Sequence, residues 1–510
     1  MDDHFKYMIF ESIHNNDSYQ KLVLTLACLI WGFLDVFSLT LPLLEIRPEV
    51  SVSYQGTSQT RTLNYQDCEN GGYKLLDKQT GQSIVIYFDI YCNKYWVALI
   101  GSVNFLGVFV GTLISPVLLD KIGRKTPVSI SILTFMISLL GLTLANNIQE
   151  FLICIFFVGL SNLIAHISIF LLVNEITQKE NRSIFSVIMF NSYAIFGIIF
   201  TWLFYFLDNW KKVFYLDIIL CLILLILCCL YIDESPKYLL VKGDQKLYRN
   251  TFKHLYIYNK ENDEKFLRNF LKKKKSKKEL LNEEIHLNKK LIPNEVSSDT
   301  SNTDLYDNDD HTNFFLKESF TRLFQEGIRT VFLVMCFIWF YVSGTYYGLA
   351  IYLKELPGNI YITLTFMFCL EFFSNILSAV IMNNKHLGRK YSLMVLNFLG
   401  IVILILMFLN NKLDWSQNIL TLAFRFIIST IYAIIYVYST EYYPTVLRAK
   451  GLSLNTLCGR FGAIVSPFLV EIYEFNYFIM CLVLMICCFF STFLLVETYN
   501  TELKNFVEDD

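Results

Sequence analysis

Twelve apolar runs, each long enough to cross a bilayer, constrain this chain more than any other feature. A helix needs about 20 apolar residues to span the hydrocarbon core. Runs of that kind fall near 21–43, 95–119, 126–145, 149–173, 184–207 and 212–232. A second set follows near 329–353, 359–382, 391–409, 417–439, 452–474 and 476–496. Backbone polar groups in lipid must be satisfied internally, so each run is expected to be helical. The expected fold is an all-α integral membrane protein with twelve transmembrane helices in two six-helix bundles. Residues 1–232 form the first bundle, with a loop at 44–94; 233–328 form a partly disordered linker, and 329–510 the second bundle. Composition agrees, with 54% of the 510 residues hydrophobic and 17% charged. A net charge of −2 leaves no basic excess for nucleic-acid phosphates. No Gly-x-x-x-x-Gly-Lys-Ser/Thr occurs, which excludes an ATP-driven pump built on this chain alone. Nothing points to an enzyme, a bound metal or a cofactor.

The two halves echo each other. Asp120-Lys121-Ile122-Gly123-Arg124-Lys125 returns as Lys385-His386-Leu387-Gly388-Arg389-Lys390, about 265 residues later. Glu175 precedes Arg182 by seven residues, and Glu441 precedes Arg448 by seven, at almost the same offset. Two unrelated features sharing one offset indicate duplication, which suits a secondary transporter whose halves rock about a central site. Lysine and arginine concentrate at these turns, so the turns and both termini are expected to be cytoplasmic. The first twenty residues are polar and mixed in charge, unlike a cleavable signal peptide.

The two long connections then face opposite sides. The 44–94 loop faces outside and holds Cys68 and Cys92, open to two readings: a disulfide or two free thiols. The cytoplasmic linker contains the lysine cluster Lys272–Lys278 and an acidic stretch from Asp299 to Asp310. Its lysines are either a solvated run or a patch drawn to anionic inner-leaflet lipid, at about 1 kcal/mol per charge.

Several motifs narrow the reading. Asp120–Lys125 resembles the loop between helices 2 and 3 of the major facilitator superfamily. Asp233-Glu234-Ser235-Pro236-Lys237-Tyr238-Leu239 is similar to the stretch after helix 6 in its sugar porters and organic-ion transporters. Glu441–Arg448 resembles the segment after helix 10, and Leu495-Val496-Glu497-Thr498 the ending after helix 12. Trp339, Tyr346-Tyr347-Gly348-Leu349, Gly358-Asn359-Ile360-Tyr361 and Glu371 favour the organic cation, anion and carnitine transporter family. The glutamines of a sugar porter's helix 7 are absent between Cys336 and Leu349. Ile155 stands where the family has an arginine in helix 4, and Lys385 stands where the first turn has Asp120.

The resemblance implies a multi-pass plasma-membrane carrier of small organic ions, working by alternating access. A sugar-type facilitator and a non-transporting sensor or scaffold on the same fold are the rival readings. Charges at bilayer depth are costly, about 2.5–3.5 kcal/mol at a helix centre, and are functional candidates by default. They are Asp35, Asp217, Glu371, Arg425 and Arg460. The family position of Arg460, before Gly462 and Ser466-Pro467, is acidic in cation carriers and basic in anion and carnitine carriers. Organic anions or zwitterions such as carnitine are therefore expected over cations. The alternative is an internal ion pair of Arg460 or Arg425 with Glu371 or Asp35. Trp339, Tyr341, Tyr346 and Tyr347, with Tyr432 and Tyr436, would stack on a flat substrate or hold a quaternary ammonium. They otherwise serve helix packing. His166 is read as a proton relay or a packed imidazole, and Gly107 and Gly111 as a close helix contact. Asp120 and Arg124, together with Glu175 and Arg182, are expected to form a cytoplasmic latch. Gly388, Arg389, Glu441 and Arg448 form its weaker echo, which lacks the acid.

Overall fold

The computed structural model describes residues 18–54, 57–63, 65–70, 73–75, 83–177, 179–242, 247, 251, 324, 328–382, 384, 387–409, 414–443 and 445–498. The Lys272–Lys278 cluster, Lys385 and His386 lie outside these residues, as does the side chain of Arg448. Among them, eleven helices are long and apolar enough to cross a membrane. In chain order they are α1 Ser18–Leu44, α2 Lys94–Ile122, α3 Lys125–Leu144, α4 Ile148–Ile176, α5 Lys179–Leu207 and α6 Trp210–Tyr231. After the undescribed linker come α7 Arg329–Tyr352, α8 Ile360–Met382, α9 Lys390–Leu409, α10 Asp414–Tyr442 and α11 Thr445–Thr492. The chain is a multi-pass integral membrane protein.

The twelfth run is present but merged with the eleventh. Within the 48 residues of α11, Lys450–Tyr473 is long enough to span, and Asn476–Thr492 is a shorter apolar helix. A straight helix of that length would separate its ends by about 70 Å. Yet the Thr498 hydroxyl donates to Glu441, four residues before α11 begins, at 2.8 Å. The chain therefore doubles back between the two apolar segments, as the expected split at 474–476 requires.

α1 is not continuous. Pro42 lies inside its second piece, and regular helix is interrupted at Asp35. The Asn162 amide of α4 enters at the break, donating to the Leu34 carbonyl at 2.9 Å and to Asp35 Oδ1 at 2.6 Å. A side chain inserted into the backbone ladder is a recognised cause of a helix break.

Close packing fixes the remaining geometry. A Cβ at Gly107 would collide with the Phe156 carbonyl, so α2 lies directly on α4 as the glycine spacing suggests. Across the two sets of helices, α2 packs on α11 and α5 on α8. Large apolar side chains such as Ile137, Leu144, Ile153, Phe206 and Leu230 face outward, where lipid supplies the apolar contact that water would not.

The 44–94 segment is more ordered than a plain loop. It holds a three-stranded antiparallel sheet in the order β2-β1-β3, from β1 Glu49–Tyr54, β2 Thr57–Thr62 and β3 Tyr73–Leu75. Cys68 and Cys92 are joined by a disulfide that ties a short helix, Tyr65–Asn70, to the start of α2.

Candidate functional site

The centre contains two arginines in different circumstances. Arg425 on α10 is 1% exposed and pairs with Glu371 of α8 at 3.1 Å. Glu371 also accepts from the Tyr346 hydroxyl at 2.8 Å and from Ser429 Oγ at 3.0 Å. The Arg425 guanidinium lies 3.5 Å from the Tyr346 ring centroid and donates to the Tyr346 carbonyl. Of the two readings given above, contact with substrate or an internal ion pair, the pair is present in this structure. The pair orients Tyr346.

Arg460 on α11 is only partly buried, and its side-chain partner is the Tyr347 hydroxyl at 2.9 Å. Among the described residues no carboxylate pairs with it. Tyr432 and Tyr436 lie nearby, their ring centroids 5.5 Å apart as their four-residue spacing demands. Trp339 meets Tyr436 edge-on at 4.6 Å and donates its indole N–H to Ser439 at 3.0 Å. Tyr346 stacks on Tyr432 at 5.0 Å. An arginine thus stands before a wall of rings that bury their faces in one another.

The opposite wall belongs to the first six helices. Asp35 faces His166 of α4, with Oδ2 3.7 Å from Nε2, and His166 stacks on Trp31 at 4.8 Å. Arg460 is close enough to act electrostatically on both. Phe105 meets Tyr347 at 4.5 Å and Phe190 meets Tyr436 at 6.3 Å, which brings the two walls together. Asp217 lies apart in α6, buried with Cys221 as its hydrogen-bonding neighbour.

At one end of the molecule the repeated turns are built alike. Arg124 pairs with Glu175 at 3.0 Å, and Arg389 pairs with Glu441 at 2.8 Å. Gly123 and Gly388 have positive φ, +92° and +58°, and turn the chain from one helix into the next. The exposed first amides of α3 and α9 are met by glutamates that the sequence reading passed over. Glu234 accepts from the backbone N–H of Arg124 and Lys125 at 2.8 and 3.1 Å. Glu497 does the same for Arg389 and Lys390 at 2.8 and 2.9 Å. Both lie in motifs quoted above for their resemblance, and the repeat offset would have matched them to each other. The second turn thus repeats both glutamate contacts of the first, although Lys385, which stands where the first has Asp120, lies outside the described residues. Arg182 donates to the Thr177 carbonyl at 3.1 Å rather than to Asp120, which is exposed and unpartnered among the described residues.

The other end holds a charged cluster that sequence reasoning missed. Lys354, just past α7, reaches Glu45 at the end of α1 at 2.6 Å and also Glu471 of α11. Arg47 bridges Glu355 at 2.9 Å and Glu471 at 3.4 Å. Tyr65 donates to Glu471 at 2.7 Å, beneath the Arg47 guanidinium at 3.9 Å. Burial, opposed by Lys354 and reinforced by Glu471, pushes the Glu45 carboxyl up to about 7. Glu471 was visible as an acid inside an apolar run; the others carry no motif.

With this geometry in hand, comparison with known proteins is informative. Residues 93–467 match the profile of the Major Facilitator Superfamily. The chain belongs to the major facilitator superfamily. Within it, similarity runs to "Organic cation/carnitine transporter 2" of Rattus norvegicus, 25% identical over 405 residues, covering 78% of this chain and 65% of that protein. The Drosophila melanogaster "Organic cation transporter protein" is 25% identical, covering 84% of this chain and 74% of its own. The match to the rat protein thus spans just under two thirds of that relative. Solved structures of similar fold include a D-xylose-proton symporter, with TM-score 0.61, 14% identity and coverage of 94% of this chain and 98% of that one. Another is the xylose transporter XylE from E. coli in an inward open conformation, with TM-score 0.59, 13% identity and coverage of 94% and 97%. This superfamily member resembles the organic cation/carnitine transporters in sequence and the xylose carriers in fold.

Proposed function

We propose that the chain is a secondary transporter of small organic ions that works by alternating access. Organic anions, or zwitterions such as carnitine, are preferred over cations. Residues 1–232 and 329–510 are the two bodies that move, joined by 233–328. The observation that carries this reading is Arg460, a cation without a carboxylate partner among the described residues, set near Tyr347, Tyr432 and Tyr436 where the two walls meet. Arginine suits a substrate carboxylate through two parallel N–H donors. A zwitterion's cationic end would find Asp35 on the opposite wall, and a ring face freed by a side-chain shift would add roughly 0.5–2 kcal/mol per cation–π contact.

The orientation follows from chemistry at the two ends. The basic turns lie in the cytoplasm under the positive-inside rule. The Cys68–Cys92 disulfide lies outside, since such bonds persist in oxidising space. The plasma membrane is the proposed location, with both termini cytoplasmic.

Uptake in oocytes of labelled carnitine, urate, a cationic dye and a hexose tests the reading, with Arg460→Asp alongside. A lost charge-assisted hydrogen bond of roughly 1.5–3 kcal/mol predicts at least a tenfold fall in carboxylate uptake. Relative gain for the cationic dye is also expected. Uptake of hexose alone would overturn the proposal.

A further inference from the structure

The charged cluster around Lys354 joins elements distant in sequence. Glu45 and Arg47 follow α1, and Tyr65 comes from the short disulfide-bonded helix. Lys354 and Glu355 follow α7, and Glu471 is in α11. Lys94 adds its ammonium to the other face of this region, 4.4 Å from the Tyr65 ring centroid. Within this cluster the links between the first and second sets of helices are charge–charge or charge-assisted contacts, while Tyr95 against Phe468 joins the same two sets without charge. If the two sets part at this end, the contacts of Glu45 with Lys354, of Arg47 with Glu355 and Glu471, and of Tyr65 with Glu471 must break, while Lys354 can keep Glu471.

The acids are unequally served. Glu471 accepts from Lys354, Arg47 and Tyr65. Glu45 has Lys354 on Oε2 alone; its Oε1 is buried with no hydrogen-bond partner among the described residues. The Glu45 side chain is 1% exposed, and it shares its lysine with a second carboxylate. A buried carboxylate with a donor on one oxygen alone is less well supported in its charged form than one with three donors, and burial favours its neutral form.

We propose that Glu45, with Lys354 and Glu471, forms a proton-binding outer gate, closed in this structure, through which acidity outside the membrane holds the carrier shut on that side. The proposal rests on the orientation assigned above, but not on the identity of the substrate. The sign follows from linkage. Opening returns Glu45 to water and to an ordinary carboxylate affinity, whereas in the closed seam its carboxyl titrates near 7. The closed state therefore binds the proton more tightly. Between an ordinary carboxylate pKa and about 7, acid favours closure, and rising pH favours opening until Glu45 is ionised in both states. The change in the equilibrium is at most about tenfold for each unit by which the two affinities differ. Glu45 and Glu471 act as a pair, so the proton belongs to the pair rather than to one oxygen.

The test uses accessibility and needs no substrate. Ser102 sits at the seam, its hydroxyl donating to the Ile464 carbonyl of α11 at 2.8 Å. Ser102→Cys in the full chain, expressed in oocytes, is labelled from outside with a membrane-impermeant maleimide at pH 5.5 and 7.5. The protein with native Ser102 supplies the background from other cysteines. Thiol reactivity itself rises with pH, so the decisive quantity is the ratio of labelling rates at the two pH values. It is compared among the native cluster, Glu45→Gln and Glu471→Gln. The native cluster should show a ratio at least tenfold above that of Glu45→Gln, in which the gate stays closed at both pH values. Glu471→Gln should also reduce the ratio, which keeps the test valid should Glu45→Gln fail to reach the surface. Equal ratios in the native cluster and in every variant that reaches the surface would overturn the proposal. Loss of all carnitine, urate, dye and hexose uptake alongside a retained ratio would overturn the transport reading instead.

Discussion

Arg425 and Glu371 show how little a residue's identity says about its task. Each was conspicuous as a charge inside an apolar run, and the two are paired with each other across 54 residues of sequence. Removing one partner leaves an uncompensated buried charge. Glu371→Gln, which also weakens the Tyr346 and Ser429 contacts, should therefore destabilise the protein by about 3–5 kcal/mol. The double change Arg425→Met with Glu371→Met should recover much of that loss. Thermal unfolding in detergent or nanodiscs reads the difference, and an equally unstable double variant would contradict the pairing argument. Arg460 was legible because an arginine in a run such as Cys458 to Val470 has few structural reasons to be there. Its freedom from a carboxylate was not legible, because Asp35 and Glu371 were equally good partners on paper. Only the three-dimensional assignment of Glu371 to Arg425 and of Asp35 to Asn162 decided the matter.

At the scale of elements, the apolar runs reported the helices well because hydrophobic length is set by the bilayer rather than by neighbours. Their ends were less legible. The caps of α3 and α9 come from Glu234 and Glu497, roughly 110 residues away in sequence. No local pattern announces a cap supplied from so far. Each carboxylate meets two otherwise unpaired amides at the positive end of a helix, where such contacts are worth about 1 kcal/mol. Glu234→Ala should speed hydrogen exchange at the Arg124 and Lys125 amides about fivefold or more, that energy being roughly a factor of five. Unchanged exchange would show that water serves the helix end equally well. Gly123→Ala should be worse, since φ is +92° and a new Cβ would fall against the Glu234 carboxylate. The sheet at β1–β3 was not anticipated because it lies in a polar segment, where spanning length gives no guidance.

For the molecule as a whole, duplication was the legible fact, and it proved more regular than the sequence suggested. Arg124 with Glu175 and Glu234 is matched by Arg389 with Glu441 and Glu497. These pairs hold each set of helices together internally, so they do not close the seam in this state. Asp120 is exposed and has no partner among the described residues, and the proposed role for it is to find a cation when the halves tilt the other way. Asp120→Asn should accordingly lower transport while surface expression remains normal. Full activity would remove it from the latch. The opposite end was illegible because its charges share no spacing and come from loop, helix end and helix interior alike.

That end also sets an order of events during synthesis. Glu45 emerges with the first span, while the lysine that will meet it is 309 residues further along. At typical elongation rates the interval is roughly 15 to 60 s. Glu471, a further 117 residues beyond Lys354, arrives later still. Until then Glu45 has only water and its near neighbours for company, and the first six helices must remain inserted without this part of the seam. A ribosome that stops early releases a half-built clasp with its acid exposed. The last charged contact at this end becomes available only after Glu471 has been made.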